Sequence, residues 1–496
     1  MDSFILCGMQ FGDEGKGTFV DYLAHEKNID CIVRYNGGSQ ASHTVITEEG
    51  IKHKFSQLGS GMFLEKCHTY ITENMVINLD NLLVEMEVFS NITGISIPSL
   101  IERIHIHENC FIVTPYHKLI NKLREFSKGT NRRGTVGTGV SEVMYLVNES
   151  KLCMSKPTLG LQVKDIFNTN ADKPIIHKLE ELQNYVQQFY DNNKDVIWKN
   201  VPEEMKKDLE KEINFLLEPN AFLKISERYI AKFQDVPGDI DLSKCIYNIY
   251  ETTLRKNCKS AIFEGSQGLL IDGIYGIKPN TTFLDTTNNF ALDISYYRDN
   301  IKKIGIAKAF TSRHGLGVFP TESTSVASKI SDENQEETFW NGKIRFGWFD
   351  AILFRYAQSI NNVDEIYLSS LDKLSSFETI KICNEYVYNG SVDETFKQIF
   401  NYYIANEKVI ITDIKQSSED LGKYLKQCTP EYIKVNGWKK SLSNIYSKSE
   451  LPIECKGYIF LIEMLINVPI TIISVGPTRA NKIRLVKKDV TQNEYS

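Results

Sequence analysis

The chain has 496 residues, 42% of them hydrophobic and 24% charged, with a formal net charge of −6 and a sequence pI of about 6.0. These are ordinary globular proportions, with enough chain for a large core or several smaller ones. No long basic block is present, which disfavours a nucleic-acid-coating role, and no apolar run approaches the ~20 residues of a membrane span. The ten cysteines are scattered with no C-x-x-C pair, and Met1-Asp2-Ser3 has no basic leader. Free, buried thiols in a reducing, cytoplasmic setting are therefore expected.

The first element is an apolar run, Phe4-Ile5-Leu6-Cys7, which predicts a buried parallel strand. Gly8, Gly12, Gly15 and Gly17 follow it, and Phe19 to Leu23 begins a helix. A strand, a glycine turn and a helix N-terminus form a phosphate cradle, and Lys16 supplies a point charge there. The stretch is not a G-x-x-x-x-G-K-[ST] loop, because Gly17 stands where a metal-binding hydroxyl belongs. Asp13 and Glu14 lie inside the loop, where negative charge repels phosphate. Carboxylates there call for a task such as holding Mg²⁺ or removing a proton.

Cys31 to Tyr35 predicts a second strand, ending in the small polar loop Asn36 to Thr44 with His43 in it. Asn78 to Phe89 has helical spacing, and His105 and His107 sit at strand spacing without a carboxylate or cysteine cluster, so they read as structural or solvated. Arg132 to Gly139 is a basic, glycine-rich loop before a helix at Ser141 to Val147, and a second candidate phosphate contact. Residues 176–233 predict amphipathic helices packed on the main sheet. Ala261 to Phe263, Ile304 to Phe310, Ile366 to Leu368 and Ile470 to Val475 read as further strands, each running into a polar or glycine loop. Asp372, just beyond one of these ends, can accept two hydrogen bonds from a guanine edge or cap a helix. Residues 376–450 read as irregular, helical and strand-like by turns. The repeated strand, loop and helix predict one large α/β unit over 1–496, mostly parallel, with flanking helices and a P-loop-like nucleotide site on one sheet edge. Residues 167–255 and 376–450 are read as enlarged insertions.

The ordered set G-D-E-G-K-G, R-Y-N-G-G-S-Q-A-S-H-T, F-E-G-S-Q-G, F-P-T-E, G-W-F-D and I-S-V-G-P-T-R resembles the adenylosuccinate synthetase family. The resemblance runs from residue 4 to about residue 485. It implies a ligase that joins L-aspartate to a 6-oxopurine nucleotide with GTP and Mg²⁺, usually as a homodimer. On that resemblance Asp13 removes the purine N1 proton, O6 attacks the γ-phosphate, and His43, Lys16 and Mg²⁺ neutralise the charge. Gln267 then holds the purine oxygen, and Asp13 with the Ser42 carbonyl holds Mg²⁺. Gly12, Glu14, Gly15, Gly17 and Thr44 face the triphosphate, with Asp372, Gly476 and Pro477 lining its base pocket. Gln40, Thr135 and Thr287 fall to the acceptor, and Lys343 and Arg345 to the aspartate carboxylates and a ribose or phosphate.

The chain departs from the family pattern in its substrate contacts. Gln40 stands for an asparagine, Ser42 for a glycine, Val136 for a phosphate-gripping threonine and Ser370 for a lysine that packs on guanine. The arginine lent by a partner subunit is missing after Glu142, with Lys151 and Lys156 the nearest cations, and the aspartate loop shortens to Gly342 to Arg345. Lysine does not replace arginine in a bidentate carboxylate grip. These changes leave open IMP, a guanine nucleotide as in related phage enzymes, or a deoxy-, di- or triphosphate acceptor, with GTP or ATP as donor. Asp13, often absent from those phage enzymes, favours a hypoxanthine acceptor. A silent nucleotide-binding regulator is the alternative from another class, and a P-loop kinase or switch is disfavoured by the residue after Lys16.

Overall fold

The computed structural model describes residues 2–132, 134–135, 137–152, 159–167, 174–234, 240–248, 254, 258–330, 339–340 and 342–485. Arg133, in the basic loop Arg132 to Gly139, and Val136 and Lys156, named above, lie outside the described residues.

The centre is a 10-stranded sheet. Its strands in chain order are β1 (Ser3–Gly8), β2 (Cys31–Arg34), β3 (His68–Ile71), β4 (Ile104–His107), β5 (Ile246–Tyr247), β6 (Ala261–Glu264), β7 (Ile301–Lys308), β8 (Glu365–Ser369), β9 (Ile470–Ser474) and β10 (Lys482–Arg484). Their spatial order is β5-β4-β3-β2-β6-β1-β7-β8-β9-β10. Every neighbouring pair is parallel except β9 with β10 at one edge. The run Phe4-Ile5-Leu6-Cys7 is buried throughout, as a strand covered on both faces must be. Parallel strands all end on one edge, so the loops after β1, β2, β6, β7, β8 and β9 open together.

Helix α1 (Lys16–Glu26) follows β1 directly. Helices α2 (Pro115–Lys128), α3 (Val140–Leu152), α4 (Pro174–Asn200), α5 (Glu203–Leu216) and α6 (Ala221–Ala231) form a layer at the β3–β5 side. The expectation for residues 176–233 is corrected here. Helices α4 to α6 form as predicted, but they pack chiefly on α2 and on one another. The apolar faces of Leu179, Leu182, Val186, Leu209 and Ile213 join the core that also holds Leu119 and Leu123.

The expectation for 376–450, irregular with helical and strand-like stretches by turns, is corrected only in its irregularity. Thr379–Tyr388, Phe400–Ala405, Lys408–Ile414 and Cys428–Asn436 join Phe349–Asp350 in a five-stranded sheet. Period two was blurred because Thr379–Tyr388 buries the consecutive Ile382 and Cys383, and Cys428–Asn436 is mostly exposed. This sheet is tied to α7 (Ala351–Asn361) and α8 (Ile453–Ile466) by Arg355. Its guanidinium lies 2.5 Å from Asp413 Oδ1 and donates to Asn384 Oδ1 at 3.0 Å, Thr412 O at 2.6 Å and Leu465 O at 3.1 Å.

A third correction concerns the thiols. Cys31 and Cys258 form a disulfide with Cα atoms 5.7 Å apart. They are distant in sequence, but β2 pairs with β6, and Cys31 sits opposite Ala261, three residues after Cys258. The other described cysteines are free. His105 stacks on Tyr70 and His68, in keeping with a structural role. Among the described residues no helix is long and apolar enough to cross a membrane. Replacing Arg355 with alanine leaves several acceptors unpaired and is expected to cost about 2 kcal/mol of stability in a urea titration. Arg355→Lys should recover only part, because the fork geometry is lost.

Candidate active site

The loop after β1 is folded by its own charges. Glu14 is fully buried, and its Oε1 accepts from the backbone N–H of Gln10 at 3.0 Å and Gly12 at 2.8 Å. Its Oε2 accepts from Lys16 Nζ at 2.6 Å. That ammonium also donates to Gly12 O at 3.1 Å and to Gln267 O at 2.5 Å. The Glu14 side chain is therefore turned into the loop, not toward a nucleotide as the resemblance implied. Its task is to pull the loop's amides inward and cancel the charge of Lys16. Gly8 is required there, because a Cβ would lie 2.3 Å from Gln267 O and 2.9 Å from Lys16 Nζ. Gly17 is required for a similar reason, with a Cβ 2.6 Å from that of His43.

His43 is held from below. Its Nδ1 lies 2.5 Å from Glu264 Oε1, at the end of β6. Ser60 donates its hydroxyl to the same oxygen and its N–H to Oε2 at 2.9 Å. Burial pushes the Glu264 carboxyl up, but the charge of Arg34 and the bonds from His43 and Ser60 outweigh it and hold it at about 2. Burial pulls the His43 imidazole below its ordinary value, against the pull of Glu264. With Nδ1 committed to Glu264, Nε2 is the ring nitrogen left for chemistry. Arg34 is fully buried between the two loops, donating to Leu58 O at 2.8 Å and Ser266 Oγ at 2.9 Å. Glu264 was visible in the sequence only as part of a motif. Its signal was a carboxylate ending an apolar strand.

Asp13 is 37% exposed at the mouth of the loop. Lys308 Nζ, from the end of β7, lies 2.6 Å from its Oδ2, and Ser312 Oγ lies 3.4 Å away. Burial raises the Asp13 carboxyl, but Lys308, with smaller help from His314 and Lys16, brings it below its ordinary value. Sequence reasoning missed Lys308, whose signal was one cation inside the apolar run Ile304 to Phe310. Gln267 adopts a left-handed backbone with φ 61°, which carries its carbonyl to Lys16. Buried Gln267 Oε1, Gln40 Oε1 and Ser39 Oγ have no hydrogen-bond partner. They are among several buried side-chain atoms left without a protein partner among the described residues.

Beyond β8 and β9, Asp372, Gly476 and Pro477 come together as expected. They line a cavity of about 460 Å³ with Ser375, Ser376, Ser441, Ser443, Val475 and Asn481. Ser441 and Ser443 come from segment 376–450, so that segment reaches the site. Thr18 Oγ1 donates to Pro477 O at 2.9 Å and joins α1 to this cavity. Thr44 lies just beyond His43 on a short hairpin strand, His43–Ile46, and Ser42 is exposed before it.

The remaining predicted residues are engaged elsewhere. Thr287 Oγ1 donates to Asp285 Oδ1 at 2.7 Å, and Thr135 Oγ1 to Asn121 Oδ1 at 3.1 Å. Arg345 pairs with Glu322 at 2.7 Å and donates to Gly315 O and Gly317 O. Lys343 is exposed on the same turn. The Thr135 and Gly315 loops meet, since a Cβ on Gly134 would lie 3.5 Å from Leu316.

Among the described residues, no three His, Cys, Asp or Glu side chains form a metal cage. The oxygen donors that the resemblance assigns to the metal are the Asp13 carboxylate, 37% exposed, and the backbone carbonyl of exposed Ser42. That set fits Mg²⁺, which takes one or two protein oxygens and completes its shell with phosphate and water. Glu264→Gln breaks a buried charge pair and is expected to cost about 3 kcal/mol at pH 7. The folded carboxyl titrates at about 2, below its ordinary value of 4.5, so its contribution is complete above pH 4.5 and drains as pH falls toward 2. The gap between the two proteins in denaturant titrations should narrow over that window.

Comparison with known proteins shows the family. The adenylosuccinate synthetase family model matches residues 5–483. The adenylosuccinate synthetase of Chlorobium chlorochromatii is 31% identical over 481 residues, covering 96% of this chain and 95% of its own. That of Alkaliphilus metalliredigens is 32% identical over 489 residues, covering 97% and 99%. The fully ligated adenylosuccinate synthetase from Plasmodium falciparum shares the fold with a TM-score of 0.71 at 24% identity, covering 98% of this chain and 100% of that one. The glycine loop after β1, the His43–Glu264 pair and the cavity beside Asp372 lie on one sheet edge, and on these comparisons the chain belongs to the adenylosuccinate synthetase family, whose members are C–N ligases.

Proposed function

We propose that the chain joins L-aspartate to C6 of IMP, with GTP as phosphoryl donor. The observation that carries this reading is Asp13 at the mouth of the phosphate loop, with His43 beyond Gly17 and the orphaned Gln267 amide beside it. Asp13 takes the N1 proton, and the electron pair left behind spreads onto O6. O6 attacks the γ-phosphorus as its bond to the β-bridging oxygen breaks. The negative charge of the bound triphosphate opposes the burial that lowers the His43 imidazole and favours the charged ring, which then donates from Nε2 to the phosphoryl oxygens while Glu264 balances it. Lys16 stands beside the same loop with its charge already matched by Glu14. The aspartate amine then displaces phosphate from C6. Asp13 and the Ser42 carbonyl would hold Mg²⁺, which supplies charge neutralisation at the phosphates when bound.

GTP is favoured by Asp372, because a carboxylate accepts from both N1–H and the 2-amino group of guanine. ATP is the second reading, favoured by the four serine hydroxyls of the cavity, which donate as readily as they accept. Gln40, Thr135 and Thr287 are assigned to the acceptor and Lys343 and Arg345 to the carboxylates, which requires Arg345 to exchange Glu322 for substrate. Family membership supports a homodimer acting in the cytoplasm on one elaborated α/β unit.

Mass-spectrometric turnover tests this reading, with aspartate, Mg²⁺ and GTP or ATP against IMP, dIMP, ITP, GMP and dGMP. A succinyl adduct on IMP, fastest with GTP, is expected. Asp13→Asn should lower that rate by about 10³-fold while GTP binding in calorimetry is retained. Bound nucleotide with no adduct on any acceptor would overturn the proposal and leave a binding protein.

A further inference from the structure

Lys308 is the last residue of β7, and its backbone is clamped on both sides by one side chain. Gln10 Oε1 accepts from Lys308 N at 3.0 Å, and Gln10 Nε2 donates to Phe310 O at 3.2 Å and Lys308 O at 3.4 Å. Gln10 belongs to the phosphate loop, where Glu14 holds its own N–H. The start of the Lys308 side chain is thereby set relative to the loop that carries Asp13.

The ammonium is equally constrained. The Lys308 side chain is 8% exposed, and its Nζ donates to Asp13 Oδ2 at 2.6 Å and to Ser312 Oγ at 3.2 Å. It also lies 5.4 Å from the centre of the Phe310 ring. Ser312 Oγ is 3.4 Å from the same oxygen of Asp13, on the strand Thr311–His314. Oδ2 is therefore held from two sides. Among the described residues, Oδ1 has no hydrogen-bond partner. An aspartate at a loop mouth otherwise swings between rotamers, and each carboxylate oxygen spends only part of its time aimed at a substrate.

We infer that Lys308, steadied by Gln10 and Ser312, is a positioning residue that binds Oδ2 of Asp13 and presents Oδ1 to the acceptor, with the Mg²⁺ assigned to Asp13, when bound, sharing the Oδ2 side of the carboxylate. This deepens the reading above. The N1–H bond breaks, the proton passes to Oδ1, and its electron pair stays on the purine. Lys308 touches neither reactant in this scheme and acts through the direction it imposes on Asp13.

Three proteins test the assignment: wild type, Lys308→Met and Lys308→Arg. Lys308→Met is expected to lower kcat by about 100-fold, as a misaimed group does, with KM for the acceptor within threefold of wild type. Lys308→Arg should recover part of the rate, since it keeps the charge with a different reach. A crystal structure of nucleotide-free Lys308→Met should show the Asp13 side chain out of its wild-type rotamer. That readout stands even if wild type makes no adduct, so the two proposals fail separately. A kcat within threefold of wild type in Lys308→Met, or Asp13 unmoved in the crystal, would overturn the inference. So would a rise in KM matching the whole loss, which would place Lys308 on the substrate or in the fold alone.

Discussion

One buried carboxylate holds the two halves of the site together. Glu264 ends β6, between the strands that carry the phosphate loop and the His43 loop. Burying an unpaired carboxylate costs several kcal/mol, so Glu264 needs partners from every side. It finds them in His43, in the hydroxyl and amide of Ser60, and in the charge of Arg34. Each partner comes from a different part of the chain. Ser60 is set by its own loop, where Glu85 accepts the backbone N–H groups of Ser56, Gln57 and Leu58. The catalytic histidine of the proposed reaction is thus fixed by the same contacts that close the sheet edge.

The phosphate loop follows a similar economy. A glycine turn ahead of a helix attracts anions whatever its side chains do. Glu14 and Lys16 add a buried ion pair beneath that turn, at 2.6 Å, with side chains almost fully covered. Glu14 collects the loop's amides and Lys16 collects carbonyls from this loop and from Gln267, so the turn arrives preshaped. Asp13 stays outside the pair and is aimed by Lys308, which comes from the neighbouring strand.

The second sheet has a place in this scheme. The chain leaving it brings Ser441 and Ser443 to the cavity that Asp372 also lines. Arg355 locks that sheet to α7 and α8. Residues that read as an insertion therefore form one wall of the cavity assigned to the donor base.

Much of this was legible without coordinates. Buried parallel strands show as short apolar runs, and the residues just beyond them are polar or glycine because ligands bind there. Asp13, Lys16, His43, Gln267, Asp372 and Gly476 were singled out on that logic or by resemblance to one family, and the parallel sheet brings the loops that carry them to one edge. Partners distant in sequence were hidden. Glu14 looked like a ligand group until its oxygens met Gln10, Gly12 and Lys16. Cys31 and Cys258 looked free because only the β2–β6 pairing brings them together. Lys308 was one cation in a strand, and its role rests on where β7 ends relative to β1. Local sequence determines which strands end in which loops, because burial period and turn chemistry are properties of neighbouring residues. The direction of each charged side chain was decided by tertiary structure, because a buried charge must turn to whatever partner the sheet order places beside it.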